Sequence, residues 1–294
     1  MKRLIGIDIG GTQTKAVCCS ESGAVLARVS HETGDAFNAW RDVMHDVVRT
    51  FENEQGPADC VGVSCPGIGR PDGSGISWMI GRMEGVVNFD FTAHLNRKQR
   101  VPVLNDALAA LLGEAWTGAA RGVEDAILFT LGTGVGGAIL SGGKLVKGYS
   151  GRAGHLGHLT VDADGPLDIC NTPGSIEHAI GNYSLADRTG GRFTSTAELV
   201  KDVANDTEAH AVWRRSVRHF AAAIASVINV VDPQRVIVGG GMIAAGPMLF
   251  DLLAKELARV EWRPLGVGVE VVPAQLGEWA GAIGAARNAF EGGN

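Results

Sequence analysis

The chain has 294 residues, and its 26 basic and 32 acidic residues leave a formal net charge of −6. That balance excludes a general nucleic-acid binder, which needs a basic stripe to displace counterions. The 45% of hydrophobic residues exclude a disordered chain and suffice for two packed cores. Residues 4–9 form an apolar run that reads as a strand, followed by a turn over 10–15 and further strands over 16–19 and 24–29. Residues 39–52 read as a helix, because Trp40, Val43, Val47, Val48 and Phe51 fall on one face. A buried strand over 60–64 ends at Pro66 and Gly67, and the glycine-rich stretch to residue 90 reads as an irregular loop over a site. A strand over 101–104 runs into a helix that opens at Asn105 and continues to Trp116.

The second half repeats this order. A strand over 126–131 enters the glycine cluster 132–137 and then a second hairpin through Gly142 and Gly143. Residues 148–184 read as irregular, 196–231 as helical, and 235–238 as a strand ending in Gly239, Gly240 and Gly241. A helix over 248–259, a strand over 267–273 and a helix over 279–290 close the chain. Residues 4–12 and 127–137 echo one another, each an apolar strand, a Gly/Thr turn and a second strand, which points to two similar halves.

No stretch approaches 18 uninterrupted apolar residues, and Asp8 interrupts the first apolar run too early for a signal peptide. The five cysteines contain no Cys-x-x-Cys pair and make a poor disulfide framework, so the expected compartment is the cytoplasm, with no membrane partner.

The glycine turns carry the first chemical signal. Gly132-Thr133-Gly134-Val135-Gly136-Gly137 follows a strand as a dinucleotide fingerprint would, but that fold needs a helix to begin there. A nicotinamide-dependent oxidoreductase rests on this cluster alone, and a hairpin in place of the helix excludes it. The other reading is a hairpin whose bare backbone presents N–H groups to phosphate. Each cluster by itself reads as a tight turn. Two of them, with hydroxyls at Thr12 and Thr133 and the first flanked by Asp8 and Lys15, point to phosphate binding. Asp8 is the candidate to hold Mg2+ through water.

The motifs Asp8-Ile9-Gly10-Gly11-Thr12-Gln13-Thr14-Lys15, Asn105-Asp106-Ala107, Leu131 to Gly137 and Gly154-His155-Leu156-Gly157-His158 occur in this order. In that combination the chain resembles the ROK-family sugar kinases of the actin, hexokinase and heat-shock ATPase superfamily. The resemblance runs over nearly the whole chain and implies a two-domain actin-like ATPase (ribonuclease H-like) α/β fold with a central cleft. The implied domains are 1–118, with the C-terminal helix 279–294 packed on it, and 119–278. Some relatives carry an added DNA-binding domain; this chain opens at its first strand, so that module is not expected. ROK relatives are often dimers, which makes a homodimer one expectation.

The resemblance implies ATP and Mg2+ as cofactors and a sugar or polyol as substrate. ATP would contact Asp8, Gly10, Gly11, Thr12, Lys15, Gly132, Thr133, Gly134, Gly239 and Gly240. Sugar would contact Asn105, Asp106, Glu177, His158, His155 and Gly67. Asp106 is the candidate general base, because a sugar hydroxyl needs a carboxylate in reach to take its proton as it attacks the γ-phosphate. The same position also suits helix capping.

Two departures stand out. Relatives carry Cys-x-Cys-Gly-x-x-Gly-Cys-x-Glu after the Gly-His segment, whereas this chain reads Asp168-Ile169-Cys170-Asn171-Thr172-Pro173-Gly174-Ser175-Ile176-Glu177. Structural zinc wants four N or S ligands; His158, Cys170 and Asp168 supply three and Ser175 is a very poor fourth, so zinc is not expected, and hydrogen bonds from Asp168 and Ser175 would hold the loop instead. The second departure is His155, which stands where relatives have a sugar-contacting glutamate. A neutral histidine donates as well as accepts, so the preferred hydroxyl stereochemistry should differ. A non-catalytic sugar- or ATP-sensing protein of the same fold is the alternative that the altered loop and His155 motivate.

Overall fold

The computed structural model describes residues 1–33, 39–80, 83, 85–264 and 266–292. The chain forms two compact units, one made of Met1–Gly122, Leu145–Gly154 and Gln275–Asn294, the other of Val123–Lys144 and His155–Ala274.

In the first unit β1 (Arg3–Ile9), β2 (Gln13–Ser20) and β3 (Val25–Glu32) form an antiparallel meander, and α1 (Ala39–Gln55) follows. β4 (Cys60–Cys65) then pairs parallel to β1. The stretch after Gly67, expected to be irregular, carries a small antiparallel pair, β5 (Ile68–Gly69) with β6 (Ile76–Trp78), and then the short helix α2 (Phe91–His94). Positions 81, 82 and 84 of that expected loop, and 293–294 of the expected C-terminal segment, lie outside the described residues. β7 (Val103–Asn105) and α3 (Asp106–Thr117) complete the run, and the sheet order is β3-β2-β1-β4-β7.

Strand alternation builds two cores on this sheet. Ile5, Ile7 and Ile9 of β1 pack with Trp40, Met44, Val47 and Phe51 of α1. Met44 is buried where the helical pattern pointed to Val43, which packs at the margin. The alternate residues Leu4, Gly6 and Asp8 face the C-terminal helix, as their contacts with Ala282 and Gly281 show. A Cβ at Gly6 would stand 1.9 Å from the Ala282 carbonyl oxygen, and one at Gly62 of β4 would stand 2.1 Å from that of Ala285. Glycine is therefore what lets that helix lie directly on the strands.

The second unit begins with β8 (Ala126–Leu131), β9 (Val135–Ser141) and β10 (Lys144–Leu145). The stretch expected to be irregular contains a 3₁₀ turn at Leu156–His158 and the helix α4 (Ile176–Ile180), capped by the Ser175 hydroxyl. The short helix α5 (Leu185–Arg188) follows. The expected helical span 196–231 is divided into α6 (Thr196–Asp202) and α7 (Thr207–Val231), because the Asp206 carboxylate caps a new helix start at Ala209 N. β11 (Arg235–Gly239), α8 (Pro247–Val260) and β12 (Glu270–Pro273) close the unit, and α9 (Ala280–Phe290) belongs to the first. The sheet order is β10-β9-β8-β11-β12. β8 pairs antiparallel with β9 and parallel with β11, as β1 does with β2 and β4, so the two units repeat one topology. The core lies between this sheet and α7, where Phe129 meets Phe220 edge to face with centroids 5.1 Å apart.

Candidate functional site

In the first unit the glycine turn joins β1 to β2, closed by Gly10 N donating to the Gln13 carbonyl at 3.0 Å. Thr33 ties its hydroxyl to the Gly10 carbonyl at 2.7 Å, so Gly10, Gly11 and Thr12 sit in a hairpin anchored to β3's end. Asp8 lies at the end of β1 against the first turn of α9, and a Cβ on Gly281 would come within 2.7 Å of its carboxyl carbon. The Ser64 hydroxyl donates to Asp8 Oδ1 at 2.6 Å. Burial pushes the Asp8 pKa up to about 6; the Ser64 hydrogen bond and Lys15 oppose this and the Asp106 carboxylate adds to it. A carboxylate so desolvated gains from a cation, and its hard oxygens suit Mg2+. Lys15 meets Glu278 at 3.0 Å, so its charge is shared with an acidic neighbour.

Of the two neighbours, Asn105 takes the capping role that the sequence offered to this position. Asn105 is the cap of α3: its Oδ1 accepts from Ala107 N at 3.0 Å and Leu108 N at 3.4 Å. Its Nδ2 donates to the Gly67 carbonyl at 2.9 Å, which brings two of the expected sugar contacts together. Gly67 itself needs to be glycine, with φ +102° and only 2.7 Å from a hypothetical Cβ to the Trp78 carbonyl oxygen. Asp106 is exposed on the first turn of α3 and accepts from Ala107 N at 2.8 Å. Because Asn105 caps the helix, Asp106 is not required for that purpose.

In the second unit the strand after the cluster 132–137 runs antiparallel to β8, with Leu131 opposite Val135. It is a hairpin, and the dinucleotide reading falls with it. The turn is strapped down by Asn182 N on the Gly132 carbonyl at 3.1 Å and Tyr183 N on that of Thr133 at 2.9 Å. Beside it opens a cavity of about 460 Å³ lined by Gly132, Thr133, Asn182, Thr196, Lys201 and Gly241, among others. That volume suits a small cofactor. Gly241 faces this cavity; Gly239 and Gly240 do not line it. Gly240 answers instead to packing, with φ +85° and 2.2 Å from its missing Cβ to the Leu131 carbonyl oxygen.

Glu177 is buried on α4 and reaches the same hairpin, where Oε2 accepts from Val135 N at 2.9 Å. Gly134 makes that approach feasible, since a Cβ there would stand 2.3 Å from Oε2. The other oxygen, Oε1, is buried without a hydrogen-bond partner. A buried acceptor in that state needs a donor, from a bound ligand or an ordered water.

His158 closes the 3₁₀ turn that His155 precedes, and its Nδ1 lies 3.1 Å from Asp168 Oδ2. Asp168 Oδ1 accepts from Cys170 N and Thr172 N, each at 2.8 Å. Burial by itself would raise the Asp168 pKa, but Thr172 N–H, His158, the Ser175 hydroxyl and Cys170 N–H together hold it below its ordinary value. The ligand atoms of His158, Asp168 and Cys170 lie within 4.8 Å of one another. A closed structural zinc site wants a fourth N or S donor; among the described residues these three are the group brought together, and the Ser175 hydroxyl hydrogen-bonds the Asp168 carboxylate. The carboxylate is itself the tie of this loop.

Sequence patterns left out Asn182, Ser195, Thr196, Ala197, Val200, Lys201, Met242, Ala244 and Ala245 of the cavity wall. The one signal for this segment was Ser195 with Glu198, a capping box that marks the start of α6.

Three comparisons bear on this geometry. The model of the ROK family matches residues 4–290. The glucokinase of Thermotoga maritima is 32% identical, over 97% of this chain and 96% of that one, and the N-acetylmannosamine kinase of Shigella flexneri is 30% identical over 96% and 97%. The crystal structure of a ROK family glucokinase from Streptomyces griseus in complex with glucose and AMPPNP superposes with a TM-score of 0.80 at 29% identity, covering 98% of this chain and 99% of that one.

Proposed function

The chain belongs to the ROK family, and on that premise we propose that it is an ATP-dependent kinase that transfers the γ-phosphoryl group to a hydroxyl of a hexose-like sugar, with Asp106 as general base. The observation that carries the acceptor's chemistry is Glu177, whose buried Oε1 lacks a donor. A sugar hydroxyl supplies one, whereas an acidic substrate would set charge against charge. Relatives named as a glucokinase and an N-acetylmannosamine kinase support the same substrate class, and the glucose and AMPPNP complex of another supports the nucleotide.

The residues divide the work as follows. The cavity at Gly132 and Thr133 takes the nucleotide, with hairpin amides directed to phosphate. Gly11 and Thr12 do the same in the first unit, where the Gly10 amide closes the turn on the Gln13 carbonyl. Asn105, Glu177, His158 and His155 orient the sugar through its hydroxyls. The Asp106 carboxylate accepts the proton of the attacking hydroxyl as its oxygen bonds to the γ-phosphorus and the bond to the ADP oxygen breaks. Asp8 would hold Mg2+ through water, which supplies charge neutralisation on the phosphates.

The test is ADP release across a panel of hexoses, N-acetylhexosamines and inositols, with Asp106→Asn beside the wild type. Turnover with at least one sugar is expected, and Asp106→Asn should lower kcat by about 10²–10⁴ while the protein stays folded, the range for loss of a general base. Near-normal turnover of the variant refutes the base; silence of the folded wild type with every acceptor favours the sensing alternative.

A further inference from the structure

The second unit holds another cavity, of about 510 Å³, that shares no lining residue with the one beside the glycine hairpin. Its walls include His178 of α4, Arg188 of α5, and Arg215 and His219, one turn apart on α7. Asp162 and Asp187 also line it and are exposed.

Arg188 is held in place by neutral groups only. Its Nε donates to the Ser184 hydroxyl at 3.1 Å, Nη1 to the Ser216 hydroxyl at 2.7 Å and Nη2 to the Gly181 carbonyl at 2.8 Å. A guanidinium has five N–H donors, so two remain for a ligand. Among the described residues, no carboxylate stands within ion-pair distance of Arg188 or Arg215. The two guanidiniums are near enough to repel: burial pulls the Arg188 pKa down to about 10, and the charge of Arg215 acts in the same direction. Burial also lowers His178 and His219, with arginines adding to the effect and Asp187, Asp168 and Asp162 opposing it. Their rings are therefore mostly neutral near pH 7, each with one donor and one acceptor.

Arg188 spends three of its donors on neutral acceptors, and the cavity's two carboxylates, Asp162 and Asp187, are exposed and stand outside ion-pair distance of Arg188 and Arg215, so the arginine side of the cavity lacks a close counter-charge among the described residues. Two guanidinium forks meet that deficit best with one compact dianion whose oxygens point several ways. We propose that this cavity binds a small phosphate dianion, free or as the monoester of a polyol, gripped by Arg188 and Arg215. In a monoester the hydroxyls would reach the exposed carboxylates of Asp162 and Asp187, which accept.

The experiment is calorimetric titration of the full chain with orthophosphate and, separately, with glycerol 3-phosphate, both in a saturating concentration of non-hydrolysable ATP analogue so that the nucleotide cavity is filled. Arg215→Gln is the test variant, because Arg215 is exposed on α7 and its replacement leaves the core untouched. One equivalent per chain is expected to bind the wild type, with affinity at least tenfold weaker in Arg215→Gln at an unchanged melting temperature. A tighter fit for glycerol 3-phosphate assigns the site to a monoester; an equal or tighter fit for orthophosphate assigns it to the free ion. No binding of either probe, or binding that Arg215→Gln leaves unchanged, overturns the proposal. The readout is binding and not turnover, so it stands or falls apart from the kinase reading.

Discussion

Replacing Gly134 by alanine tests whether the hairpin seats the carboxylate proposed to hold the sugar. The added methyl would stand 2.3 Å from Glu177 Oε2 and 3.0 Å from its carboxyl carbon. Ordinary contact begins near 3.5 Å, so the carboxylate must retreat by about 1 Å. The 2.9 Å bond from Val135 N does not survive that movement. A hydrogen bond to a charged group contributes about 1.5–3 kcal/mol, which corresponds to about 10–150-fold in binding. Steady-state ADP release should therefore show the sugar KM of Gly134→Ala raised by roughly that factor. Gly132→Ala is the matched control. Its methyl meets no protein atom within 4 Å but faces the 460 Å³ cavity, so it should raise the nucleotide KM and spare the sugar KM. Neither glycine has a positive φ, so backbone strain does not confuse the comparison. A Gly134→Ala enzyme with a wild-type sugar KM would refute the seating of Glu177 and its role with it.

Three further outcomes follow from the packing. Asn105→Ala removes the α3 cap and the link to Gly67, and should lower stability by about 1–2 kcal/mol in denaturant titration; an unchanged midpoint would deny the cap. Asp168 has a depressed pKa in the fold, so its contribution is complete above the ordinary carboxylate value near about pH 4 and is lost as pH falls through its lower folded value. The difference in melting temperature between wild type and Asp168→Asn should thus be full at pH 7 and close in strong acid, and a metal chelator should leave the wild-type curve in place. At Gly284 a Cβ would stand 1.7 Å from the Ala109 carbonyl oxygen, backbone against backbone, so Gly284→Ala should force α3 from α9 and cost about 1–3 kcal/mol or more. Gly75→Ala, with 3.5 Å to its nearest atom, should be tolerated under the same measurement.

Local order was legible in the residues themselves. Alternation and glycine punctuation placed β1, β4, β8 and β11, and β2 from Ala16 onward, while residues 13–15, expected in the turn, extend β2; the shared turn chemistry of residues 4–12 and 127–137 anticipated one topology used twice. The strand that follows Gly134, and not a helix, was likewise written in Ala138–Leu140 and the Gly142-Gly143 turn beyond it. These features depend on neighbours a few positions apart, where period and propensity operate. What the tertiary structure decided is which residues meet. Glu177 and Val135 are 42 positions apart, and Asn105 and Gly67 are 38 apart. The reason for Gly134 is the carboxylate it admits, and the reason for Gly6 and Gly284 is a helix backbone from another part of the chain. The cavity wall from Asn182 to Ala245 has no period to betray it, because its members come from loops and helix ends that only packing assembles. Asp168 shows the same limit in part: its hydrogen bonding to the loop was expected from its type, but which donors it meets, Thr172 N–H, His158, the Ser175 hydroxyl and Cys170 N–H, only packing decided.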